Sequence, residues 1–578
     1  MDGVSEGLAI PRPARPAGGR RGAGAHARGR SRRLVAALAV VVLLASAGVV
    51  AGAWSGGSAV TGARALRATG PAPGPERVRF ALLLRLPGAA RLQSALAALE
   101  NSHSSQFRHF IAPGSFGARF GLDQRRLAVL MPSLRAAGLR ITASYPQRTE
   151  LGVSATVATV QRLLHVRIET YVDAAGRRYH SPLGTPHIPA ALARDVAGVS
   201  GLDTRPRWQA HDVPLGGMTP MQAASAYDIA ALHAAGFSGQ GQRIAIISFS
   251  AFNPSDPAAF ARQYGITGPP PRVIPVDGGT TDTSGAVEAN LDIDVVRAIA
   301  PDAQILFYEV PQSSSSYSDV INRIVADRRT DIISSSWGQC ELGLFGSERA
   351  GDSRALSAAV ANGVSMFVSS GDSGAYDCQA RDLSDHRLSV DWPASSADAI
   401  AVGGTRLYLN PNYSYRSETA WEDVLSAAGG GGGFTTGDRR PSWQAGPGVI
   451  SSPSNSRRQV PDVSADADPG TPWAVYAQGR AAQVGGTSAA TPFWAASMLL
   501  IGQYAASRGA GRLGYVNPIL YALAASRPRY APFHDVTTGA NRHFRAGRGW
   551  DPATGLGSPD VYDLARDVVA YLQAHRRR

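Results

Sequence analysis

Five short apolar runs, at residues 243–248, 302–309, 331–335, 365–369 and 399–402, alternate with stretches of helical periodicity. Runs that short and that apolar suit strands buried on both faces. With helices between them, they predict a doubly wound, mainly parallel α/β sheet. In such a sheet, ligands bind beyond the carboxyl ends of the strands. Three polar stretches fall at such ends: Ser335-Ser336-Trp337-Gly338, Ser370-Gly371-Asp372-Ser373-Gly374 and Gly403-Gly404-Thr405.

A chain of 578 residues is too long for one core, so further domains are expected. Residues 1–33, rich in Arg, Gly, Ala and Pro, read as a disordered tail. Residues 34–53 are uncharged and apolar behind that basic flank, which reads as a signal peptide or a membrane anchor. Either places the rest of the chain outside the cytosol. Residues 54–75 read as a Gly/Pro-rich linker. Residues 76–206 carry strand and helix patterns at 78–86, 89–99, 125–137, 151–153, 155–164 and 166–171. These predict an α+β, ferredoxin-like domain with no catalytic cluster. Residues 207–217 read as a junction, and 218–578 as the catalytic domain.

The formal net charge of +13 raises nucleic-acid binding as a possibility. The charge is mostly terminal, however. Residues 1–33 carry +6 and the last three arginines +3, leaving +4 for everything between. No nucleic-acid partner is expected.

The candidate nucleophile lies in Val484-Gly485-Gly486-Thr487-Ser488-Ala489-Ala490-Thr491-Pro492. A glycine pair leads into a serine and then an apolar run, 493–500, that suits a buried helix. Ser488 would stand at that helix's start, where orphan N–H groups and the positive dipole end favour a developing oxyanion. Ordinary helix capping by serine is the alternative. No histidine of the second domain sits in a glycine-threonine setting after a strand. The better base is a carboxylate pair, Glu288 and Asp292, four apart on a predicted helix capped by Ser284 and therefore on one face. Such a pair can share a proton. A solvated acidic face, with Asp294 beside them, is the alternative.

Glu288-Ala289-Asn290-Leu291-Asp292-Ile293-Asp294, Ser370-Gly371-Asp372-Ser373-Gly374 and Gly486-Thr487-Ser488-Ala489-Ala490-Thr491-Pro492 together resemble the motifs of the sedolisins, the serine-carboxyl peptidases, in family order. Residues 76–206 resemble that family's pro-kumamolisin-type activation domain. The resemblance implies a subtilisin-like catalytic fold and a self-processing zymogen whose prodomain inhibits it, cut in the region 203–218. It implies Ser488 as nucleophile, Glu288 as general base, Asp292 as the carboxyl orienting that base, and Asp372 as the protonated acid at the oxyanion. Substrates would be peptides or proteins, cut by an endopeptidase or a tripeptidyl-peptidase. The enzyme is expected to be acid-acting, monomeric and extracellular or at the cell surface.

The same resemblance implies one Ca²⁺ per catalytic domain. Carboxylates would come from Asp535 and Asp551, and backbone carbonyls from Val536, Gly547 and Gly549. Arg548 would point away. The run 429–433 is five glycines, suited to close approach of a peptide backbone. Ser335–Gly338 would offer an edge for an extended substrate, and Trp337 either lines a subsite or belongs to the core. Where family members often carry an acid after the first strand, this chain has Ser248. Cys340 and Cys378 could pair in an exported protein. A histidine-based subtilisin-like protease and a catalytically silent surface module are the competing readings.

Overall fold

The computed structural model describes residues 66–575, apart from 175, 211–212, 215–216, 314, 451–455 and 527. The expected tail at 1–33 and targeting segment at 34–53 lie outside them. Among the described residues, no helix is long and apolar enough to cross a membrane.

The first domain is built on a four-stranded antiparallel sheet, in spatial order Arg140–Ser144, Glu150–Thr156, Arg77–Leu84 and Val196–Ser200. Helices Ala89–Glu100 and Gln124–Ala136 separate its first two strands in sequence, and Val157–Leu164 follows the third. That is the interleaved βαβ order of a ferredoxin-like fold. Leu82, Leu84, Val153 and Val199 from the sheet close one core with Leu127, Leu134 and Val160. Asp123 caps the second of these helices, accepting from the Arg125 N–H at 2.9 Å.

Two features differ from the sequence reading. The strand expected at 166–171 forms as Arg167–Val172, but outside this sheet. It pairs instead with Arg178–Leu183 and with Arg67–Pro71. Part of the expected linker 54–75 is therefore a strand. Its proline lies at the strand end, where a missing N–H costs no ladder bond.

In the catalytic domain, the main sheet runs in spatial order Arg272–Pro275, Gln304–Glu309, Arg243–Ser248, Ile332–Ser335, Ser365–Ser369, Ile400–Leu409 and Tyr415–Ala420. All pairs are parallel except the last, and Val463–Asp466 also pairs in parallel with Ile400–Leu409. The expected doubly wound sheet is present. Helices Ala286–Ile299 and Thr487–Ser507 pack together on one face, and Ser316–Asp327 and Gly346–Ala361 on the other. Thr487–Ser507 is apolar on every side and buried for nearly its whole length, which marks a central core helix. The first domain docks on the second face. There Gln147 Nε2 donates to the Asn322 carbonyl at 3.0 Å, and Asn322 Nδ2 donates to Glu150 at 3.0 Å.

Candidate active site

Ser488 lies in the first turn of Thr487–Ser507, as its sequence predicts. The residue before the helix is Gly486, at φ +110° and ψ 158°. Only glycine adopts that conformation cheaply, which is why the glycine pair precedes the serine. The hairpin leading to this turn is held by two acids. Asp294 accepts from the Tyr476 N–H at 2.8 Å, and Asp256 from the Gln478 N–H at 2.8 Å.

Ser488 Oγ donates to Glu288 Oε2 at 2.9 Å. Glu288 and Asp292 sit one turn apart on Ala286–Ile299, and Glu288, Asp292 and Asp294 are all 0% exposed. They are not a solvated acidic face. The helix cap differs from expectation. Gly285 occupies it, and Ser284 instead donates its N–H to Asp282 at 2.9 Å. A Cβ at Gly285 would strike the Trp337 ring at 2.5 Å, so packing selects glycine there.

Ser336 was not singled out by the sequence as part of the site. Its hydroxyl lies 2.5 Å from Asp292 Oδ1 and 3.1 Å from the Ser488 carbonyl. In a regular helix that carbonyl would accept from the N–H four residues later. Residue 492 is proline and has none, so the carbonyl is left for Ser336. Only the neighbouring motif Thr-Pro at 491–492 signalled this.

Asp372 stands at the carboxyl end of Ser365–Ser369. Its Oδ1 accepts from both the N–H and the hydroxyl of Thr487, each at 2.8 Å. The acid and the serine are thus fixed to adjacent residues of one helix start. Behind Asp372 lie two further buried acids, Asp377 and Asp391. Burial pushes Asp391 well above the ordinary carboxyl range, and the nearby Asp372 charge adds to that. The glycine run 429–433 packs against this loop. The Gly429 N–H donates to the Asp372 carbonyl at 2.9 Å, and the Gly431 N–H to the Gly371 carbonyl at 2.7 Å. A Cβ at Gly431 would lie 1.8 Å from the Ser370 carbonyl, so the close approach these glycines permit is to the protein's own chain. A disulfide, Cys340–Cys378, ties the strand after Ser336 to the loop after Asp372.

The described histidines have other surroundings. His233 meets the Ile299 carbonyl, His386 meets Gln379, His543 meets Tyr376, and His534 stacks on Tyr415 with ring centroids 3.7 Å apart. Ser248 binds the Ser250 backbone, with its hydroxyl donating to the Ser250 carbonyl at 2.8 Å.

The edge expected at Ser335–Gly338 is paired. Trp337 and Gly338 lie opposite Ala210 and Gln209 in antiparallel register. Val213 and Pro214 pair in turn with Gly485 and Val484, just before Ser488. Two short junction strands, Gln209–Ala210 and Val213–Pro214, therefore pair with the segments that flank the Ser488 turn in space.

The two segments that carry the five expected metal-ligating residues are hydrogen-bonded together. Asp535 accepts from the Gly549 N–H at 3.1 Å, and Asp551 from the Gly547 N–H at 3.0 Å. The Thr554 hydroxyl lies 3.1 Å from Asp551 and 3.5 Å from the Val536 carbonyl. Gly549 has φ +72°, and Arg548 is exposed. Among the described residues, no group of three or more His, Cys, Asp or Glu could hold a metal, so carbonyl oxygens would have to complete any shell here. Two carboxylates and three carbonyls, drawn from the adjoining segments 535–536 and 547–551, are the kind of all-oxygen donor set that suits a hard cation.

Comparison with known proteins agrees with this geometry. The family described as "Pro-kumamolisin, activation domain" matches residues 64–205, and "Subtilase family" matches residues 198–512. Kumamolisin of Bacillus sp. (strain MN-32) is 32% identical over 85% of this chain and 91% of its own length. The chain belongs to the sedolisin family. Sedolisin of Pseudomonas sp. (strain 101) is 29% identical over 86% of the chain and 88% of its own length. The solved structure of Pseudomonas sedolisin, a serine-carboxyl proteinase complexed with pseudo-iodotyrostatin, superposes with a TM-score of 0.53. It is 29% identical and covers 63% of this chain and 99% of that one. Bovine tripeptidyl-peptidase 1 is 26% identical over 86% of the chain and 93% of its own length. As a sedolisin, this protein is a serine-type peptidase made with a prodomain, acting on peptides.

Proposed function

We propose that this sedolisin is an exported, acid-acting peptidase that works through an acyl-enzyme on Ser488 and matures by cutting its own junction. The 2.9 Å bond from Ser488 Oγ to Glu288 carries the reading. As Ser488 attacks a peptide carbonyl, Glu288 takes its proton, and the leaving amine later receives it. Water then attacks the acyl-enzyme by the same route in reverse. Asp292, held by the Ser336 hydroxyl, orients Glu288. Asp372, held at Oδ1 by Thr487, faces the helix start. In its protonated form it donates to the oxyanion, as a neutral carboxylic acid can. The junction strand alongside this site supports self-processing and inhibition before the cut. The disulfide supports export, because such bonds persist in oxidising compartments.

A base and an oxyanion donor that are both carboxyls make a pH claim. Free carboxyls titrate near pH 4 and imidazole near 6.5. Glu288 must be able to accept a proton while Asp372 holds one, which gives a bell-shaped profile with its optimum at roughly pH 3 to 5. The apparent values belong to the coupled set. Asp372→Asn keeps a donor without the titration, so its residual activity should extend toward neutral pH. Initial rates from pH 2 to 9 on both proteins decide this. A wild-type optimum at or above neutrality would favour a histidine base, and no turnover at any pH would favour a silent module.

We also propose that the loop around Asp535 and Asp551 binds one Ca²⁺, with the carbonyls of Val536, Gly547 and Gly549. When bound, the ion would neutralise two carboxylates and hold the loop together. A ligand at 100 times its Kd stabilises a fold by about 2.7 kcal/mol. Chelator should therefore lower the Tm by several degrees, and Asp551→Ala should reproduce that Tm without chelator. An unchanged Tm in chelator, with no metal found by elemental analysis, would remove the site.

A further inference from the structure

The junction is held by side chains as well as by backbone. Trp208 is 3% exposed, and its ring is enclosed by the catalytic domain. It stacks on Phe249 with centroids 5.7 Å apart and planes 9° apart, and it meets Tyr317 edge-on at 4.4 Å. Trp337 backs this box, packing edge-on against Phe249 at 5.5 Å. The indole N–H is satisfied, donating to the Ser313 carbonyl at 3.2 Å. The Gln312 side chain reads the backbone on both sides of the tryptophan. Its Oε1 accepts from the N–H groups of Arg207 and Trp208 at 2.9 and 3.3 Å, and its Nε2 donates to the Trp208 carbonyl at 3.3 Å. One residue earlier, the Arg207 guanidinium lies 3.4 Å from the fully buried Glu348.

These residues continue the strand in which Gln209 and Ala210 pair with Gly338 and Trp337. The walls of the box belong to the catalytic domain, and its filling belongs to the junction in which the cut is expected, between its pairings at Gln209–Ala210 and at Val213–Pro214. Resting on the peptidase reading above, we propose that processing cuts after Ala210 and vacates the Trp208 box, which the mature enzyme then uses as a subsite. Its preferred substrates are peptides with an aromatic side chain one place before the residue that pairs with Gly338. A strand added to an exposed edge gains affinity from its backbone and selectivity from such side-chain pockets. A large aromatic in a dry pocket is the usual anchor of a recognition surface.

The test uses the processed wild-type enzyme at pH 4 and a quenched fluorescent peptide spanning Thr204–Gly217. Two further peptides carry Phe or Ala in place of Trp208. The Trp and Phe peptides should be cut with similar kcat/KM, and the Ala peptide on the order of 10- to 100-fold more slowly. The corresponding non-cleavable fragment, residues 204–210, should compete for the enzyme, and its Ala counterpart should compete at least tenfold more weakly. Equal kcat/KM for all three peptides, or equal competition by the two fragments, would overturn the subsite. Turnover of a denatured protein without aromatic preference would also overturn it while leaving the peptidase reading intact. Loss of turnover on every substrate would sink both.

Discussion

Replacing Ser488 with alanine should leave a folded precursor with no measurable turnover. The substitution removes one hydroxyl from a fully buried position whose partners are Glu288 Oε2 and the Ser336 carbonyl. Alanine is the better helix former, so Thr487–Ser507 should persist. The stability change should stay within about 1 kcal/mol, the ordinary worth of a single hydrogen bond. Activity should fall on the order of 10,000-fold or more, because nothing else at the helix start can form the covalent intermediate. The precursor should also stay full length at acid pH, since the junction strand would then have no nucleophile beside it. Mass spectrometry over hours at pH 4 reads this directly. Wild-type protein should yield a fragment beginning within 203–218, and the variant should not. Normal processing in the variant would refute Ser488 as the nucleophile.

The same inactive precursor should melt higher at pH 4 than at pH 7.5, the reverse of a protein held by surface ion pairs. Its interior is rich in acids whose carboxyls burial pushes upward. Asp294, Asp352, Asp391 and Asp466 lie well above the ordinary range, and Asp398 is pushed up to about 6. At the prodomain interface, Glu100 is pushed up to about 9 by burial and then by the charge of Asp398. Each of these groups binds its proton more tightly folded than unfolded. Its contribution is therefore complete below the unfolded value, near 4, and is lost as pH rises through the folded value. For half-buried Asp398 alone, the shift to about 6 corresponds to at most about 3 kcal/mol, less what solvent screens. Opposing groups such as Asp385, held down at about 2 by hydrogen bonds from Arg387, lose their stabilisation as pH falls from about 4 through about 2, so most of it survives at pH 4. Calorimetry on Ser488→Ala avoids self-digestion. We expect a Tm at pH 4 higher by roughly 10 °C. An equal or lower value at pH 4 would show that these acids ionise freely in the folded protein.

The sheet was legible because its strands are buried on both faces and so are apolar without interruption. Arg243–Ser248 and Ser365–Ser369 form over the spans their composition predicts. Strands that are exposed, or that mix small and polar residues, carry a weaker signal. Arg140–Ser144 and Val196–Ser200 were missed because their residues alternate or mix polarity, and Arg67–Pro71 was hidden among glycines and prolines. Glu288, Asp292, Asp372 and Ser488 could be named because each lies in a compact motif. Ser336 and Thr487 could not be assigned roles, because what defines them is the approach of a distant strand to a helix start. What the glycine run approaches in its own chain was hidden for the same reason. The need for small residues was visible, but the neighbour that crowds them, the loop carrying Asp372, was not.

If maturation is the self-cut proposed above, the pairing of the junction with both Trp337–Gly338 and Val484–Gly485 also sets its kinetic order. A strand that is part of the same molecule and already in register is present at an effective concentration far above that of any free peptide, millimolar or more even for loosely tethered groups. The first cut is then a unimolecular event whose half-life does not depend on dilution. A population of precursors would then ripen like a clock started by acid, without the lag and acceleration of a chain reaction in which mature molecules activate the rest. After the cut the tether is gone, and the released prodomain becomes an ordinary inhibitor that dilution can remove.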